Sequence, residues 1–483
     1  MRKPTARSWF GLARRALAWL AGALLLLVAA WVVSNLRDAD PLPRPAALAL
    51  HTPQLADDNN AFFALVGLHA GADREPAAAG QALWRIRMSQ AAAPRDMQAA
   101  QRAQHAESEA LGQRLPSLSG APSVCHSQSD DCMAPWIAQA DALAAHRKAH
   151  ATLGQRCESL LDQNFEFEER LPPMRSAAEP FAAHAHSASA CSRWLLSGAA
   201  LAWAQKRPAD AVMLVVKADR LNRGLLAGSH SLIGQVIALR LARNTLNAIT
   251  GLALRDPAMA TALAPLLAPW PDEVQAARRW MVAEAALAHG MLGDALQTCL
   301  SIADDLAPDA TSWLQRIEDQ FDRFMCRHRI GLHPERTRAA LDQRWLRIHA
   351  ALDRGLPAAI VQLAADSQAA DAAGLWGVLS WRNPVGNLLV AVADPGYRSY
   401  LARQADVELH REAAALALQA AAVAPAGRAA WTERQAQSQL VRGRLSWDAK
   451  GDTLTARTLQ QEYAGGAGFN AERDAIRITF PKP

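Results

Sequence analysis

The sequence predicts a mainly α-helical protein: an irregular array of antiparallel helical hairpins with an N-terminal transmembrane helix and a small C-terminal antiparallel β-sheet. The chain of 483 residues is rich in Ala and Leu, which are among the strongest helix formers. A long uncharged apolar run lies near its start, and residues 431–483 change from a helical period to strand-like alternation. These three observations define one apolar anchor, a long helical part and a short β-rich tail.

The first element is the apolar run from residue 16 to residue 36, which holds 21 residues without a charge. At 1.5 Å per residue, a helix of this length spans about 30 Å, the thickness of the hydrocarbon core of a bilayer. Five basic residues and no acidic ones lie in residues 1–15, whereas the residues just after the run carry no net positive charge. The positive-inside rule therefore predicts a signal-anchor with residues 1–15 in the cytoplasm and the rest of the chain exported.

A cleaved secretory signal is the alternative interpretation of the same run, with Val28-Ala29-Ala30 as the cleavage motif. Secretory signals have an apolar core of about 7–15 residues. Because the run in this chain is longer and the motif lies inside it, the sequence favours a retained anchor.

The net charge of +5 also belongs to this end of the chain. Of the 51 basic residues, five lie in residues 1–15, which leaves 46 basic residues against 46 acidic ones elsewhere. A groove for nucleic acid requires clustered basic side chains. The sequence contains no such cluster and therefore predicts no nucleic-acid partner.

Residues 37–57 contain four prolines and are predicted to form a stalk, and residues 58–430 are predicted to form the helical domain. Its clearest helix is predicted over residues 135–163, where apolar side chains recur with spacings of three and four. Short connections such as Arg207-Pro208 and His289-Gly290 predict antiparallel hairpins. The hairpins are loosely repeat-like, without the fixed period of tetratricopeptide repeats.

The tail, residues 431–483, is predicted to form the small sheet. Two strand-like segments flank the turn at residues 449–452, and the sequence AIRITF at residues 475–480 predicts a third strand. Because a lone hairpin is marginal in water, the sheet is expected to pack on the helices.

The six cysteines all follow the apolar run: Cys125, Cys132, Cys157, Cys191, Cys299 and Cys326. An even number in an exported chain predicts disulfides, and no Cys-x-x-Cys spacing indicates a zinc ribbon or a thioredoxin-like site. Short loops favour the pairs 125–132, 157–191 and 299–326. Buried reduced cysteines are the alternative.

Four histidines are the weak candidates for metal ligation. His146 and His150 lie four residues apart on one predicted helix, and His184 and His186 flank a single alanine. Hydrogen-bonded histidines at a helix interface are the alternative. The sequence predicts no cofactor and no catalytic residue.

The acidic stretch EFEER contains Glu166, Glu168 and Glu169. General acid–base chemistry needs two carboxyl groups placed across a cleft. Without evidence of such a cleft, the stretch is expected to be a solvated acidic turn. The sequence also lacks the phosphate-binding loop and nucleophile-elbow motifs.

Three stretches together resemble a group of uncharacterised, membrane-anchored helical proteins of proteobacteria: ADDNNAFFALVGLHA (56–70), NPVGNLLVAVADPGYRSYLARQADVEL (383–409) and LSWD (445–448). The resemblance implies a membrane-anchored helical protein and carries no activity or catalytic residue. The second stretch is expected to contain either a structural elbow, with an extended residue before Pro384, or the wall of a groove that includes Asn383, Tyr397 and Tyr400.

These observations lead to one main hypothesis and two alternatives. The main hypothesis is a bitopic protein of the bacterial inner membrane, anchored by residues 16–36, whose periplasmic helical domain binds another envelope protein or acts as a scaffold. The first alternative is an envelope hydrolase acting on cell wall or peptide. The second is a domain that binds lipid or another small ligand between its helices.

Overall fold

The computed structural model confirms the predicted fold class: a mainly helical chain with one N-terminal apolar helix and a three-stranded antiparallel sheet near the C-terminus. The described parts of the chain are residues 6–92, 97–118, 131, 133–162, 165–171, 183–270, 273–305, 320, 323–366, 381–392, 397–436, 441–448, 452–460 and 475–480. The helices in these parts are α1 (Ala6–Ser34), α2 (Ala61–Val66), α3 (Pro76–Ala92), α4 (Met97–Leu111), α5 (Met133–Ala138), α6 (Ala140–Ala149), α7 (Ala151–Asp162), α8 (Ala183–Ala204), α9 (Pro208–Gly228), α10 (Leu232–Ala253), α11 (Pro257–Leu263), α12 (Glu273–Asp305), α13 (323–327), α14 (Pro334–Leu352), α15 (Leu356–Asp366), α16 (Pro384–Val392), α17 (Tyr397–Ala420) and α18 (Pro425–Gln435).

The chain divides into two compact units. The first contains Met1–Leu48, Leu287–Arg347 and Ala365–Pro395. The second contains Ala49–Ala286, Ile348–Ala364 and Gly396–Pro483.

The core of the second unit is a series of helical hairpins. Helix α8 packs against α9, α9 against α10, and α10 against α17, while α5, α6 and α7 all pack on α8. Local sequence explains where the helices begin: Pro208 is the first residue of α9, and the Ser231 hydroxyl accepts a hydrogen bond from the Gly234 amide at the start of α10. Small residues of α8 such as Ala188 and Ala199 are fully buried.

The sheet belongs to the second unit. Strand β1 (Leu445–Asp448) pairs with β2 (Thr453–Ala456), and β2 pairs with β3 (Ile476–Thr479), both antiparallel. Leu454 on β2 faces Ile478 in the register and both are buried, while α17 packs against β2 and β3. The sheet therefore closes against a helix, as expected for an element too small to be stable alone.

In the first unit, α1 carries the apolar run. Among the described residues, Arg14–Ser34 is the one helical segment long and apolar enough to cross a membrane, with a mean hydropathy of 2.4, and no residue of its apolar window is buried. The run is therefore a helix without a protein partner along most of its length.

The helix predicted over residues 135–163 is interrupted twice. Gln139 and His150 leave helical geometry, so the stretch forms α5, α6 and α7. At the second break the Nδ1–H of His150 donates to the carbonyl oxygen of His146 at 2.9 Å, where a side chain competes for a helix acceptor. The apolar seam is nevertheless buried, with Leu143 and Leu153 almost fully enclosed.

The link predicted at His289-Gly290 is wrong, because α12 continues from Glu273 to Asp305 without a break. A glycine in a helix costs only about 1 kcal/mol relative to alanine. Residues 291–305 contain no proline that would end the helix, and flanking residues such as Ala286 and Leu292 are buried. Packing therefore outweighs the weak local preference.

Candidate functional sites

The first site is the junction at the C-terminal end of α1. Asn35 follows the apolar helix directly and is only 1% exposed. Its Nδ2 donates to the carbonyl oxygen of Trp381 at 2.9 Å, and its Oδ1 accepts from the Asn383 amide at 3.0 Å. Its carbonyl oxygen accepts from Nε2 of His333 at 3.0 Å. One buried residue thus joins the end of the apolar helix to two distant segments of the first unit.

A second contact at the junction caps α14. The Asp38 carboxylate accepts hydrogen bonds from the amides of Glu335, at 2.9 Å, and Arg336, at 3.2 Å. These amides lie in the first turn of the helix, where they have no acceptor within the helix and where a negative charge is favourable. The chain after the apolar helix is therefore fixed at Asp38 as well as at Asn35.

Asn383 corrects the expectation for the elbow before Pro384. The residue has a φ of +58°, in the left-handed region, and is not extended. Its side chain offsets this conformation, because Oδ1 accepts from the His333 amide at 2.7 Å and Nδ2 donates to the Thr337 hydroxyl at 3.1 Å. Asparagine tolerates this region better than most residues, and hydrogen bonds on both ends of its side chain outweigh the preference imposed by proline.

The second site is the acidic segment, residues 165–171, in the second unit. The expectation of a solvated turn is wrong for two of its three glutamates, since Glu168 is 6% exposed and Glu169 is 3% exposed, while Glu166 is exposed. The Asn60 side chain binds the backbone of this segment. Its Oδ1 accepts a hydrogen bond from the Glu168 amide at 3.0 Å, and its Nδ2 donates one to the Glu168 carbonyl oxygen at 2.7 Å. Residues 167–170 are therefore buried, and the hydrogen bonds of Asn60 hold the backbone at Glu168 in place.

Glu168 binds residues 49–57, which we call the strap, to this acidic segment. Its carboxylate accepts from the amides of Gln54, at 3.0 and 2.9 Å, and Leu55, at 2.8 Å, and from Nη1 of Arg170 at 2.6 Å. Burial alone raises the pKa of this carboxyl group, but the hydrogen bonds and the guanidinium outweigh it and hold the pKa at about 2. Glu168 is therefore ionised and joins the strap to the acidic segment.

Glu169 holds the turn between α9 and α10. Its Oε2 accepts from the amides of His230 and Ser231, both at 2.7 Å, and its Oε1 accepts from the Ser231 hydroxyl at 2.6 Å. Close approach makes this possible, because a Cβ atom at Gly228 would lie 1.8 Å from the carbonyl oxygen of Phe167. Glycine at that position lets the acidic segment reach the turn.

The strap, the acidic segment and the α9–α10 turn meet at three possible ligands. One ligand atom each of His51, Glu168 and His230 lies within 4.8 Å of the others. Nε2 of His51 lies 3.1 Å from Oε1 of Glu168, and the two imidazole rings meet edge to face with centroids 5.0 Å apart. Among the described residues, this is the group of three side chains with the donor atoms of a metal site.

The histidines singled out from the sequence lie elsewhere. His146 and His150 stack with ring centroids 4.4 Å apart on α6 and the residue that follows it. His184 is 1% exposed, lies with Nε2 3.3 Å from Oε1 of Glu169, and has a pKa lowered mainly by burial. His186 is exposed. Neither pair belongs to a group of three possible ligands within the described parts of the chain.

Two of the predicted disulfides are present. Cys157 on α7 is bonded to Cys191 on α8, and Cys299 on α12 is bonded to Cys326 on α13. The predicted pair of Cys125 and Cys132 lies outside the described residues. Two disulfides among helices fit an oxidising compartment.

The residues of the predicted groove have separate structural partners. Asn383 belongs to the first unit, as described above, whereas Tyr397 and Tyr400 belong to the second. The Tyr397 hydroxyl donates to Glu284 at 3.2 Å, and its ring stacks on Trp280 with centroids 5.9 Å apart. Tyr397 is thus part of the core of its unit.

Two larger cavities open in the second unit. One, of about 730 Å³, has a polar lining that includes Glu75, Arg156 and Glu166. The other, of about 650 Å³, is more apolar. Its lining includes Val66, Leu83, Leu111, Arg87, Arg114 and Arg193. In the described parts of the chain, four carboxyl groups have a shifted pKa and line neither cavity: Glu168, Asp219, Glu284 and Asp406.

Sequence reasoning missed His51 and His230 because each stands alone in its stretch, 179 positions apart in the numbering. Their meeting depends on the fold of the acidic segment between them. The one available signal was two adjacent glutamates followed by an arginine between aromatic and apolar residues, in FEFEERL. A charged pair flanked by Phe167 and Leu171 is compatible with burial as well as with a solvated turn.

The fold and these sites define a mainly helical protein with one apolar N-terminal helix and two buried polar junctions. Comparison with protein-family models, with curated proteins and with solved structures found no match for the chain. The resemblance drawn from the three sequence stretches therefore stays a prediction.

Proposed function

We propose that the protein is a bitopic protein of the bacterial inner membrane whose exported helical part binds another protein of the cell envelope. In this proposal α1 spans the bilayer, residues 1–15 lie in the cytoplasm, and the rest of the chain lies in the periplasm. The observation that carries the proposal is the junction at Asn35, where an apolar helix without partners ends on a buried, hydrogen-bonded residue.

Continuity at this junction supports a retained span. The Asn35 amide donates to the carbonyl oxygens of Trp31 and Val32, so the last turn of α1 orients the residue that joins the first unit. Cleavage after Ala30 would leave that turn as a frayed end. Frayed turns are marginal without tertiary support, and the packed junction is therefore better suited to a helix that continues into the bilayer.

The surface beside the junction also suits a bilayer. Trp381, Val385 and Leu388 are 50%, 44% and 47% exposed, and the last two lie three residues apart on α16. Nε of Arg382 donates to the carbonyl oxygen of Ser34, the last residue of α1, at 3.1 Å. Tryptophan is enriched at the membrane interface. We therefore place this face of the first unit at the headgroup level.

The direction of insertion follows from charge and cysteine chemistry. The five basic residues before the span favour a cytoplasmic N-terminus. The disulfides Cys157–Cys191 and Cys299–Cys326 fit the oxidising periplasm on the other side.

Protein interaction is the role that the side-chain arrangement favours over hydrolysis. The described carboxyl groups with shifted pKa bind other parts of the protein, as Glu168 and Asp406 do by accepting hydrogen bonds from backbone amides. These carboxyl groups line neither of the larger cavities. Helical arrays offer extended surfaces for partners. Exposed apolar side chains at Met213, Ile233 and Val361 provide contact points in the second unit.

The test is photo-crosslinking from defined positions in native membranes. A crosslinking amino acid at Met213, Ile233 or Val361 is expected to yield one reproducible adduct with an envelope protein at one or more of these positions. The same amino acid at exposed Lys148 is the control and is expected to yield none. Absence of any position-dependent adduct across all three sites contradicts the interaction role.

The cavity of about 650 Å³ favours a second candidate function, the binding of a small amphiphilic ligand. Its apolar side chains suit an acyl chain, and arginines at its lining suit an anionic headgroup. Native mass spectrometry of the protein extracted from membranes tests this function: a bound lipid that is lost in the Leu83→Trp variant is the expected result. Spectra without any retained lipid contradict it.

A further inference from the structure

We propose that His51, Glu168 and His230 bind a divalent transition-metal ion of the zinc class, which fastens the strap to the core of the second unit. The three residues come from the strap, the acidic segment and the α9–α10 turn. The inference is independent of the proposed function, since it concerns how one unit is held together.

Two of the three ligands are held in place by their surroundings. The Glu168 carboxylate is fixed by the amides of Gln54 and Leu55 and by Arg170. The backbone of His230 is fixed by Glu169, and His230 is 7% exposed. Such surroundings orient ligands before the ion arrives, as partners beyond the ligands do in established metal sites.

The third ligand is the movable one. The His51 side chain is 43% exposed and lies on the strap, with Nε2 3.1 Å from Oε1 of Glu168. A tetrahedral zinc ion with bonds of about 2.0–2.1 Å separates its ligand atoms by roughly 3.3 Å. The His51–Glu168 separation already fits this geometry. The others, within 4.8 Å, require a closing movement that an exposed side chain can make.

The His230 imidazole packs edge to face on the ring of His51, and its nitrogens are the part of the side chain that can take a ligand. No hydrogen bond joins either ring nitrogen to another described residue, and the residue as a whole is 7% exposed. Both ring nitrogens are therefore available to a ligand, as donor atoms of a neutral imidazole. A metal ion in front of it would satisfy one ring nitrogen and leave the other for solvent.

The donor set selects the class of ion. Two imidazole nitrogens and one carboxylate oxygen suit zinc, cobalt or nickel, whereas magnesium and calcium prefer oxygen ligands alone. Oε2 of Glu168 remains on Arg170, so the ion takes Oε1. His51, Glu168 and His230 line neither larger cavity, and we therefore assign the ion a fastening role and no substrate.

The test is a zinc titration of the full chain in detergent, purified through a tag without histidine and stripped with a chelator. Competition with a chromophoric chelator is expected to show about one equivalent of zinc per chain. His51→Ala is expected to weaken this binding at least about tenfold. Exposed His105→Ala is the matched control and is expected to bind like the wild type.

A second variant and a second measurement complete the test. The variant His150→Ala tests whether zinc binds instead to the stacked histidines His146 and His150. If His150→Ala loses zinc binding and His51→Ala keeps it, the proposal is overturned. In the wild type, zinc is expected to slow amide hydrogen exchange in residues 49–57 and raise the melting temperature, because an ion that binds only the folded state stabilises it. Binding of less than a tenth of an equivalent at micromolar zinc, or unchanged exchange in the strap, also overturns it.

Discussion

At the scale of single residues, several buried carboxylates accept hydrogen bonds from backbone amides. Glu169 accepts from two amides of the α9–α10 turn, and Asp406 accepts from the amides of Leu459, at 2.6 Å, and Gln460, at 3.1 Å. A buried amide without a partner costs about 1–3 kcal/mol. Each of these carboxylates therefore fixes a connection that the helices alone would leave loose.

His410 gives the clearest pH dependence. It is 3% exposed on α17, and burial, together with the nearby Arg243, lowers its pKa to about 3. The imidazole is thus neutral in the folded protein while the unfolded chain takes up a proton below about pH 6.5. The contribution of the neutral imidazole to the free energy of unfolding is complete above pH 6.5 and is lost as the pH falls toward 3.

Comparison with His410→Leu measures this effect. Between pH 7 and pH 5, the free energy of unfolding of the wild type is expected to fall by about 2 kcal/mol more than that of the variant. Urea denaturation of the full chain in detergent provides the measurement. Asp406, whose pKa burial raises to about 6, acts in the opposite direction but is present in both proteins and cancels. Equal pH slopes in the two proteins would show that His410 is not buried as described.

At the scale of elements, the Cys157–Cys191 disulfide closes the loop that carries the acidic segment. It joins α7 to α8 across 34 positions, and both cysteines are fully buried. Breaking it with Cys191→Ala is expected to lower the free energy of unfolding by about 4 kcal/mol, because the unfolded chain regains the entropy of that loop. Thermal unfolding with and without reductant checks this value. A variant as stable as the oxidised wild type would exclude the bond.

The junction element is tested by Asn35→Ala. The change leaves the Asn383 amide and the Trp381 carbonyl without their partners and is expected to cost about 1–3 kcal/mol. Limited proteolysis should then cut the first unit faster. Arg37→Ala, two residues on and exposed, is the control and should behave like the wild type. Equal cutting rates in the two variants would mean that the junction contributes nothing to stability.

Helices and strands could be predicted from the sequence where nearby residues determine them. The apolar run, the connection at Arg207-Pro208 and the strand pair around residues 449–452 each follow from propensity or pattern. The breaks at Gln139 and His150, and the uninterrupted α12 through Gly290, depend on side-chain hydrogen bonds and packing that no local pattern contains.

The sites were less predictable than the fold for the same reason. Two of the disulfides could be predicted because short loops restrict the pairing of Cys157 and of Cys299. The burial of Glu168 and its meeting with His51 and His230 could not, since both depend on contacts more than 60 positions apart. The role of Asn35 likewise depends on residues almost 350 positions away.

At the scale of the whole molecule, three observations support one account of a membrane-anchored, exported protein. The N-terminal helix is apolar and no residue of its apolar window is buried. The positive excess of the chain lies entirely before the apolar run, and the described disulfides lie after it. In this account the anchor is retained, because its last turn carries the residue that fixes the first unit.

The most direct measurement is the intact mass of the protein isolated from membranes, combined with protease treatment of spheroplasts. The account predicts a mature chain that retains residues 16–36, is extracted only by detergent, and is digested from the periplasmic side except for its anchor and N-terminus. A mature N-terminus near Trp31, with release of the protein into the soluble periplasmic fraction, would contradict it.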